Sequence, residues 1–287
     1  MAQETYKEIP KRTLGKTGQQ VTILGLGGEG ILRTYGYQSQ AVKVIHRALD
    51  LGINYLESAR AYADSEIYYG LALKDHRHHV FLASKSHDRT KKGAQRQLET
   101  TLHNMKTDYL DLWQVHDVRS KEDLERIFSP YGAIEAFREA KEKGLIRFIG
   151  ITGHEDPKIV NQAMEMFEFD TALIPINPAE PYYGSFLTST LPKALGKDMG
   201  IIGMKVLCRG FLLKIPYINS IKMLLHFALS QLIHTVVIGA DNTHQLEELV
   251  SAALSFKPMN LETQRALIQA VDPYARELMY YKPTAFM

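Results

Sequence analysis

The sequence alternates between short apolar segments and helix-length amphipathic stretches, and this alternation restricts the fold more than any other feature. The apolar segments lie at 22–26, 53–56, 80–83, 110–115, 148–151, 172–176, 201–204 and 236–238. The stretches between them carry apolar residues at helical spacing, as in AVKVIHRALDLG at 41–52. Eight strands that each precede a helix predict a (β/α)₈ TIM barrel of the α/β class.

Two further elements are predicted outside the barrel units. Residues 12–24 read as an N-terminal β-hairpin whose turn contains the glycines of LGKTG. Residues 261–271 form an extra C-terminal helix after the last unit. Because no proline- or glycine-rich linker divides the chain, residues 1–287 are expected to form a single barrel domain.

Composition and charge exclude several classes of protein. The 34 basic and 32 acidic residues nearly balance and form no basic run, so nucleic acid and anionic membrane are unfavourable partners. The polar N-terminus lacks a signal-peptide core and no apolar run reaches membrane-spanning length, which favours a cytoplasmic protein. The single cysteine, Cys208, excludes an intramolecular disulfide and a cysteine-only metal site, and no metal site is predicted. Oligomeric state is not readable from these features.

Ionisable residues stand where three successive strands are expected to end. Glu57 and Tyr62 follow one strand, Lys85 follows the next, and His116 follows the strand after that. A parallel barrel gathers the carboxyl ends of its strands at one rim. Each residue alone has an ordinary structural explanation, but together a carboxylate, a phenol, an ammonium and an imidazole suit proton transfer coupled to carbonyl chemistry.

The segment GLGGEG at 25–30 formally matches the dinucleotide fingerprint G-x-G-x-x-G. That pattern has its mechanical meaning only when a helix opens directly after the strand. Here ILRTYGYQSQ follows at 31–40, which is no immediate helix start. A glycine-rich loop after the first barrel strand is therefore expected, and a Rossmann site is rejected.

Several segments, in this order and spacing, resemble the aldo-keto reductase superfamily. They are RTLGKTG…LGLGG (12–28), GINYLESARAYADSE (52–66), LASK (82–85), TDYLDLWQVHD (107–117), GLIRFIGITGH (144–154), GMKVLCRGFL (203–212) and VVIGADNTHQLEE (236–248). The resemblance implies a barrel that binds an extended nicotinamide dinucleotide without a Rossmann domain. It also implies that the Asp/Tyr/Lys/His tetrad of the family falls on Glu57, Tyr62, Lys85 and His116.

These catalytic positions carry implied roles. Tyrosine, with a reference pKa near 10, needs a stabilised phenolate to exchange protons at neutral pH. Tyr62 would act as general acid in reduction and base in oxidation, with Lys85 tuning its pKa and His116 orienting the carbonyl. Glu57 would partner Lys85 in place of the family aspartate, with one extra methylene. The implied activity is an NAD(P)-dependent oxidoreductase that transfers hydride between NAD(P)H and an aldehyde or ketone, or the corresponding alcohol.

Cofactor contacts are also implied by the resemblance. They fall on Thr152, Gly153 and Asn177 near the carboxamide, on Lys205, Leu207 and Gly210 over the pyrophosphate, and on Gly239, Asp241, Gln245 and Glu248 at the adenosine end. Thr152 and Gly153 replace a Ser-Asn pair of the family. His154 beside them either enters the pocket or caps a helix, and the cap is slightly favoured. NAD(H) is slightly favoured over NADP(H), because the Asp241 carboxylate would repel a 2′-phosphate but accept from a ribose hydroxyl.

Two other functions remain open at this point. One is a lyase or aldolase that forms a Schiff base on Lys85. The other is a non-catalytic or weakly active nicotinamide-binding regulatory barrel, which Glu57 and the missing amide favour. In the reductase hypothesis the partner is a small-molecule carbonyl or alcohol substrate.

Overall fold

The structure is a computed structural model that describes residues 8–282. Its strands are β1 (Lys11–Thr13), β2 (Gln20–Thr22), β3 (Leu24–Gly30), β4 (Tyr55–Glu57), β5 (Phe81–Ser86), β6 (Leu110–Val115), β7 (Ile146–Thr152), β8 (Thr171–Pro175), β9 (Gly200–Met204) and β10 (Thr235–Ala240). Its α-helices are α1 (Gln38–Asp50), α2 (Ser65–Ala72), α3 (Lys91–Met105), α4 (Lys121–Ile127), α5 (Ala133–Glu142), α6 (Pro157–Met166), α7 (Thr190–Gly196), α8 (Ile221–Leu229), α9 (Thr243–Leu254), α10 (Leu261–Val271) and α11 (Ala275–Leu278).

The eight strands β3 to β10 form a closed parallel barrel in chain order, and β10 closes it by pairing with β3. Helices follow the strands around the outside. Strands β1 and β2 form the separate antiparallel hairpin, and α10 is the additional C-terminal helix. The predicted (β/α)₈ barrel with its two added elements is confirmed. One domain over residues 1–287 stays a prediction, because both chain ends lie outside the described range.

The glycine-rich segment belongs to a strand, so the expected loop at 25–30 is wrong. Residues Leu24–Gly30 form β3, and α1 begins only at Gln38. A Cβ at Gly25 would lie 2.6 Å from the Tyr55 ring, and one at Gly28 would lie 2.7 Å from the Ser65 hydroxyl. These glycines let β4 and the segment after it approach β3 more closely than a side chain would allow.

Apolar side chains fill the barrel interior at the amino-terminal ends of its strands. The apolar cluster there contains Leu14, Val21, Tyr55, Phe81, Ala83, Leu112, Leu173, Ile202 and Val237. Leu14 comes from the hairpin segment and is fully buried, and the neighbouring Lys16 N–H donates to the Asp198 carbonyl at 2.7 Å. Because this end is closed by packing, the carboxyl ends of the strands are left to carry a site. Within residues 8–282, no helix has both the length and the hydropathy needed to cross a membrane.

Candidate active site

The four predicted catalytic residues lie at one rim of the barrel. Glu57 is the last residue of β4, Lys85 lies near the end of β5, and His116 directly follows β6. Tyr62 lies in the segment between β4 and α2. Parallel pairing of β4 with β5 and of β5 with β6 brings these strand ends side by side.

Lys85 is the centre of this group. Its ammonium donates to Glu57 Oε1 at 2.7 Å and to the Ser58 carbonyl at 2.9 Å, and it lies 4.7 Å from the centroid of the Tyr62 ring. Lys85 and Glu57 are only 1% and 3% exposed. Burial alone lowers the pKa of Lys85, but Glu57 and Tyr62 outweigh it and the pKa is raised. Lys85 is therefore protonated at neutral pH, and the longer Glu57 side chain keeps the ion pair.

Tyr62 is half-buried, and its ring meets the His116 ring edge-on with centroids 5.9 Å apart. Burial raises the pKa of Tyr62, and the opposing effect of the nearby Lys85 ammonium does not cancel it. The phenol is thus protonated at neutral pH. With an ammonium beside it to stabilise the phenolate that would remain, this hydroxyl is suited to donate a proton.

His116 is a neutral imidazole at neutral pH. Burial, assisted by the Lys85 charge, lowers the pKa of His116 well below its ordinary value. Its Nδ1 is buried and finds no hydrogen-bond partner among residues 8–282. Because a neutral imidazole donates from one nitrogen only, the ring can donate to a carbonyl oxygen without adding a charge to the site.

Two residues near this group were missed by sequence reasoning. Gln114 is wholly buried, pairs in register with Lys85 across β5 and β6, and places Nε2 3.5 Å from Glu57 Oε2. Its signal was a polar residue two positions before His116, on the same face of a strand whose only other polar residue is Asp111. The guanidinium carbon of Arg33 lies 5.0 Å from the Tyr62 ring centroid. Arg33 also forms a 2.9 Å ion pair with Glu29, but Glu29 lies in β3 and not in a helix, so no periodic pattern in the sequence marks the contact with Tyr62.

The expected carboxamide contacts at Thr152 and Gly153 lie at the end of β7. Thr152 is buried and its hydroxyl oxygen accepts from the Asp117 N–H at 2.7 Å, so its proton remains available to a ligand. Gly153 leaves no space for a side chain, because a Cβ there would overlap the side chain of Val160 and lie 3.1 Å from the Val118 carbonyl. The close approach of α6 therefore accounts for the missing amide.

Asn177, the third predicted carboxamide contact, uses its amide within the protein. Nδ2 donates to the Tyr281 hydroxyl at 2.9 Å and to the Lys205 carbonyl at 3.3 Å. Oδ1 accepts from the Ala179 N–H at 2.9 Å. A contact between Asn177 and a cofactor stays a prediction, and the described structure gives this side chain protein partners instead.

Of the two alternatives for His154, the favoured helix cap is wrong. Asp156 caps α6, because its carboxylate accepts from the Lys158 N–H at 2.8 Å. His154 instead faces the site, with Nδ1 3.3 Å from Asp117 Oδ1 and its ring 6.3 Å from that of Tyr281. Burial lowers the pKa of His154 to about 4, against the opposing pull of Asp117.

The remaining predicted cofactor residues lie around the ends of β9 and β10. Lys205, Leu207 and Gly210 belong to the loop after β9, and Gly239 and Asp241 to the end of β10 and the turn after it. Lys205 is half-buried and has no ion-pair partner in the part of the chain described. Gln245 and Glu248 lie on α9, where Gln245 Oε1 accepts from the Asp241 N–H at 2.8 Å and Glu248 is exposed.

Comparison with known proteins adds to this geometry. The model of a family described as "Aldo/keto reductase family" matches residues 23–223. The chain is 30% identical to the oxidoreductase YqkF of Bacillus subtilis over 156 residues, which is 50% of this chain and 48% of that protein, about half the length of each. It is 25% identical to the L-galactose dehydrogenase of Arabidopsis thaliana over 90% of this chain and 92% of that protein.

Solved structures share the fold. The holo form of an aldo-keto reductase from Bacillus halodurans superposes with a TM-score of 0.78 at 22% identity, covering 92% of this chain and 96% of the other. An aldo-keto reductase from Klebsiella pneumoniae, described in complex with NADPH, superposes with a TM-score of 0.73 at 20% identity, covering 93% of this chain and 96% of the other. The closed barrel is therefore common to all three chains.

Proposed function

The chain belongs to the aldo/keto reductase family of oxidoreductases, and we propose that it transfers hydride between NAD(P)H and a small aldehyde or ketone, or oxidises the corresponding alcohol. The observation that supports this most is the buried Lys85 ammonium. It is held by Glu57 at 2.7 Å and lies 4.7 Å from the Tyr62 ring centroid. An ammonium fixed beside a phenol is what proton delivery to a carbonyl oxygen requires.

Each of the four side chains has a separate role in the proposed reaction. A nicotinamide dinucleotide supplies the hydride when it is bound. Tyr62 gives its proton to the substrate oxygen, and Lys85 stabilises the phenolate that remains. Glu57 fixes Lys85 in place, and neutral His116 donates a hydrogen bond that orients the carbonyl. In alcohol oxidation Tyr62 works in the opposite direction as the base.

The residues around the rim fit a dinucleotide. The Thr152 hydroxyl proton is available to an amide oxygen, and the Lys205 ammonium carries no counter-charge within ion-pair distance among the described residues. A Cβ at Gly210 would meet no atom within 4 Å, so the loop there leaves open space. Asp241 is exposed beside α9 and supports our preference for NAD(H), which measured dissociation constants for NADH and NADPH would test directly.

The protonation state of Lys85 argues against a lyase or aldolase that forms a Schiff base on this residue. Schiff-base formation needs a neutral amine, whereas the raised pKa of Lys85 keeps it charged and its ammonium donates to two acceptors. A non-catalytic barrel would bind the cofactor without turnover, even after Glu57→Asp. The intact ion pair between Glu57 and Lys85 favours an active enzyme over that alternative.

A spectrophotometric screen tests the proposal. The purified protein is assayed for oxidation of NADH and NADPH against small aldehydes, ketones, quinones and sugars. Tyr62→Phe is expected to lower kcat by about 10²- to 10⁴-fold, because it removes the acid, while the cofactor Kd stays the same. Tyr131→Phe, at a tyrosine that is 83% exposed, is the matched control. Turnover that survives Tyr62→Phe, or borohydride trapping of a substrate on Lys85, would overturn it.

A further inference from the structure

We propose that Tyr281 and Lys282 are positioning residues, which fasten residues 280–282 (called the tail below) to the rim and thereby hold the loop that binds the cofactor. We call residues 205–210 the cofactor loop. The inference rests on the proposed function, because that function gives the cofactor loop its ligand. It adds a role for Tyr281 and Lys282, which lie more than 70 positions after the cofactor loop in the sequence.

The tail is anchored by a buried ion pair. The Lys282 ammonium lies 2.8 Å from Glu180 Oε2, and both side chains are 0% exposed. The ammonium also donates to the carbonyls of Tyr183 at 3.0 Å and Gly184 at 2.9 Å, so its three donors are satisfied. A fully buried lysine is rare and is stable only when it is paired in this way. The end of the described chain is thus fixed to the segment after β8.

A chain of hydrogen bonds leads from this ion pair to the cofactor loop. The Tyr281 hydroxyl donates to Glu180 Oε1 at 2.7 Å and accepts from Asn177 Nδ2 at 2.9 Å. Asn177 Nδ2 also donates to the backbone carbonyl of Lys205 at 3.3 Å, and Lys205 is the first residue of the cofactor loop. Each of these side chains is buried. The tail therefore supports the backbone of Lys205 through one intermediate residue.

The cofactor loop needs such support because its backbone is strained. Lys205, Cys208 and Arg209 have φ values of 58°, 44° and 55°, in the left-handed region that disfavours side chains. Non-glycine residues in this region persist only where surrounding contacts determine the conformation. Besides the Asn177 amide, the loop is held by two of its own backbone hydrogen bonds, from the Cys208 N–H to the Lys205 carbonyl at 3.1 Å and from the Gly210 N–H to the Leu207 carbonyl at 2.8 Å. The tail makes a second contact, since the Arg209 guanidinium carbon lies 4.8 Å from the Tyr280 ring centroid.

Support of this kind acts on binding rather than on the chemical step. The Lys205 ammonium can meet a phosphate only where its backbone directs it, and a loop ordered in advance loses less entropy on binding. It also accounts for the amide of Asn177, which the sequence assigns to the cofactor but which bridges Tyr281 and Lys205. Weakening the tail should therefore raise the Kd of the cofactor while kcat at saturating cofactor is retained.

Tyr281→Phe is the sharpest test, because it removes the bridging hydroxyl and keeps the ring against His154. In the cofactor-free protein, the amides of residues 205–210 are expected to exchange with deuterium several-fold faster. The Kd of NADH or NADPH, measured by fluorescence titration, is expected to rise about three- to tenfold. At saturating cofactor, kcat is expected to stay within about twofold of wild type.

A second variant tests the ion pair without leaving a lone buried charge. Lys282→Met alone would leave the Glu180 carboxylate unpaired and can prevent folding, so it is combined with Glu180→Gln. The double variant is expected to show the same faster exchange and weaker cofactor binding. Arg77→Met is the matched control, because it removes a buried ion pair with Asp111 of 2.9 Å at the opposite end of the barrel. It should lower stability and leave loop exchange and Kd as in wild type.

The possible outcomes separate this inference from the proposed function. If exchange at 205–210 and cofactor Kd in both variants stay within twofold of wild type, the positioning role is overturned. If Arg77→Met changes them equally, the effect is general destabilisation and the role is again overturned. If the wild-type protein binds neither NADH nor NADPH, the proposed function fails. The exchange measurement then still decides whether the tail holds the loop.

Discussion

Glu57 is the one position of the proposed tetrad at which this sequence differs from the residue that the family resemblance implies, an aspartate. Its carboxylate is buried and reaches Lys85 at 2.7 Å, and its second oxygen is 3.5 Å from the Gln114 amide. Glu57→Gln would leave Lys85 as a buried cation without counter-charge. We expect it to lower the free energy of unfolding in urea by about 3–5 kcal/mol and to reduce kcat. Glu57→Asp keeps the charge and should have a smaller effect on both quantities.

The control for this prediction is an ion pair between a glutamate and a basic residue at the surface. Glu135 lies 2.7 Å from Arg138, whose side chain is 52% exposed. Glu135→Gln is expected to change the unfolding free energy by no more than about 1 kcal/mol. Equal losses in Glu57→Gln and Glu135→Gln would contradict the central role that we give to the buried pair.

His154 makes stability depend on pH. Its pKa is about 4 in the folded protein, below the ordinary 6.5, because burial disfavours the charged ring. Below pH 6.5 the unfolded chain binds a proton at this residue that the folded protein does not bind. The free energy of unfolding is therefore not reduced by this residue above about pH 6.5, and it falls as the pH drops towards 4, by about 3 kcal/mol in total.

Urea midpoints measured between pH 7 and pH 4.5 check this prediction. His154→Gln removes the titrating group, so the variant should lose less stability on acidification than the wild type. His116 contributes in the same direction, because burial also lowers its pKa, and some pH dependence should remain in the variant. If the urea midpoint of His154→Gln falls with pH as steeply as that of the wild type, the His154 ring is not the source of the pH dependence.

Among the secondary-structure elements, the strands were predicted better than the helices. The predicted bounds of β6 agree with the observed Leu110–Val115, a strand buried on both faces in which Asp111 and Gln114 interrupt the apolar residues. The helices α2, α4, α7 and α11 were not predicted. They have 8, 7, 7 and 4 residues, which is shorter than the window over which helical periodicity can be recognised. The glycines of β3 were assigned to a loop, because the composition of the segment does not show that another strand packs closely against these glycines.

The packing of α6 against the end of β7 decides what can stand at position 153. A Cβ on Gly153 would overlap the side chain of Val160 on α6. We expect Gly153→Ala to lower the unfolding free energy by about 1–3 kcal/mol, as overpacking does in other buried sites. Gly153→Asn introduces the amide that the family resemblance implies at this position. It should lower the unfolding free energy further than Gly153→Ala does, and it should not lower the Kd of the cofactor.

Removal of the opposing side chain gives the matched test of this steric argument. In Gly153→Ala combined with Val160→Ala, the added methyl group fills part of the space that valine leaves. The double variant should therefore be more stable than the sum of the two single effects predicts, when all are compared by urea unfolding. Strict additivity would mean that the overlap is relieved in some other way.

Across the whole molecule, the sequence predicts which elements form more readily than which distant side chains meet. The barrel and the rim position of Lys85, Tyr62 and His116 follow from the order of strands, since parallel strands present their ends together. The contact between Asn177 and Tyr281 spans 104 residues and follows from no local pattern. The same holds for the approach of Arg33 to Tyr62, which depends on how the segment after β3 folds back over the rim.

The hairpin that closes the amino-terminal end of the barrel provides a prediction about the entire fold. Leu14 is fully buried among barrel-interior residues, and a Cβ on Gly200 would lie 2.6 Å from its Cγ. Leu14→Ala would leave a cavity at the closed end, far from the rim that carries Lys85. We expect a loss of about 2–5 kcal/mol in unfolding free energy and a lower Tm. Since the rim is untouched, kcat and cofactor Kd should match those of the wild type.

Leu232→Ala is the control for this change, because that leucine is 73% exposed and its truncation should alter the unfolding free energy by less than about 0.5 kcal/mol. Urea unfolding and steady-state kinetics of the two variants separate the contributions of the two barrel ends. If Leu14→Ala lowered kcat at temperatures where the protein stays folded, packing at the closed end would be coupled to the rim. The division of the barrel into a stabilising end and a chemical end would then not hold for this chain.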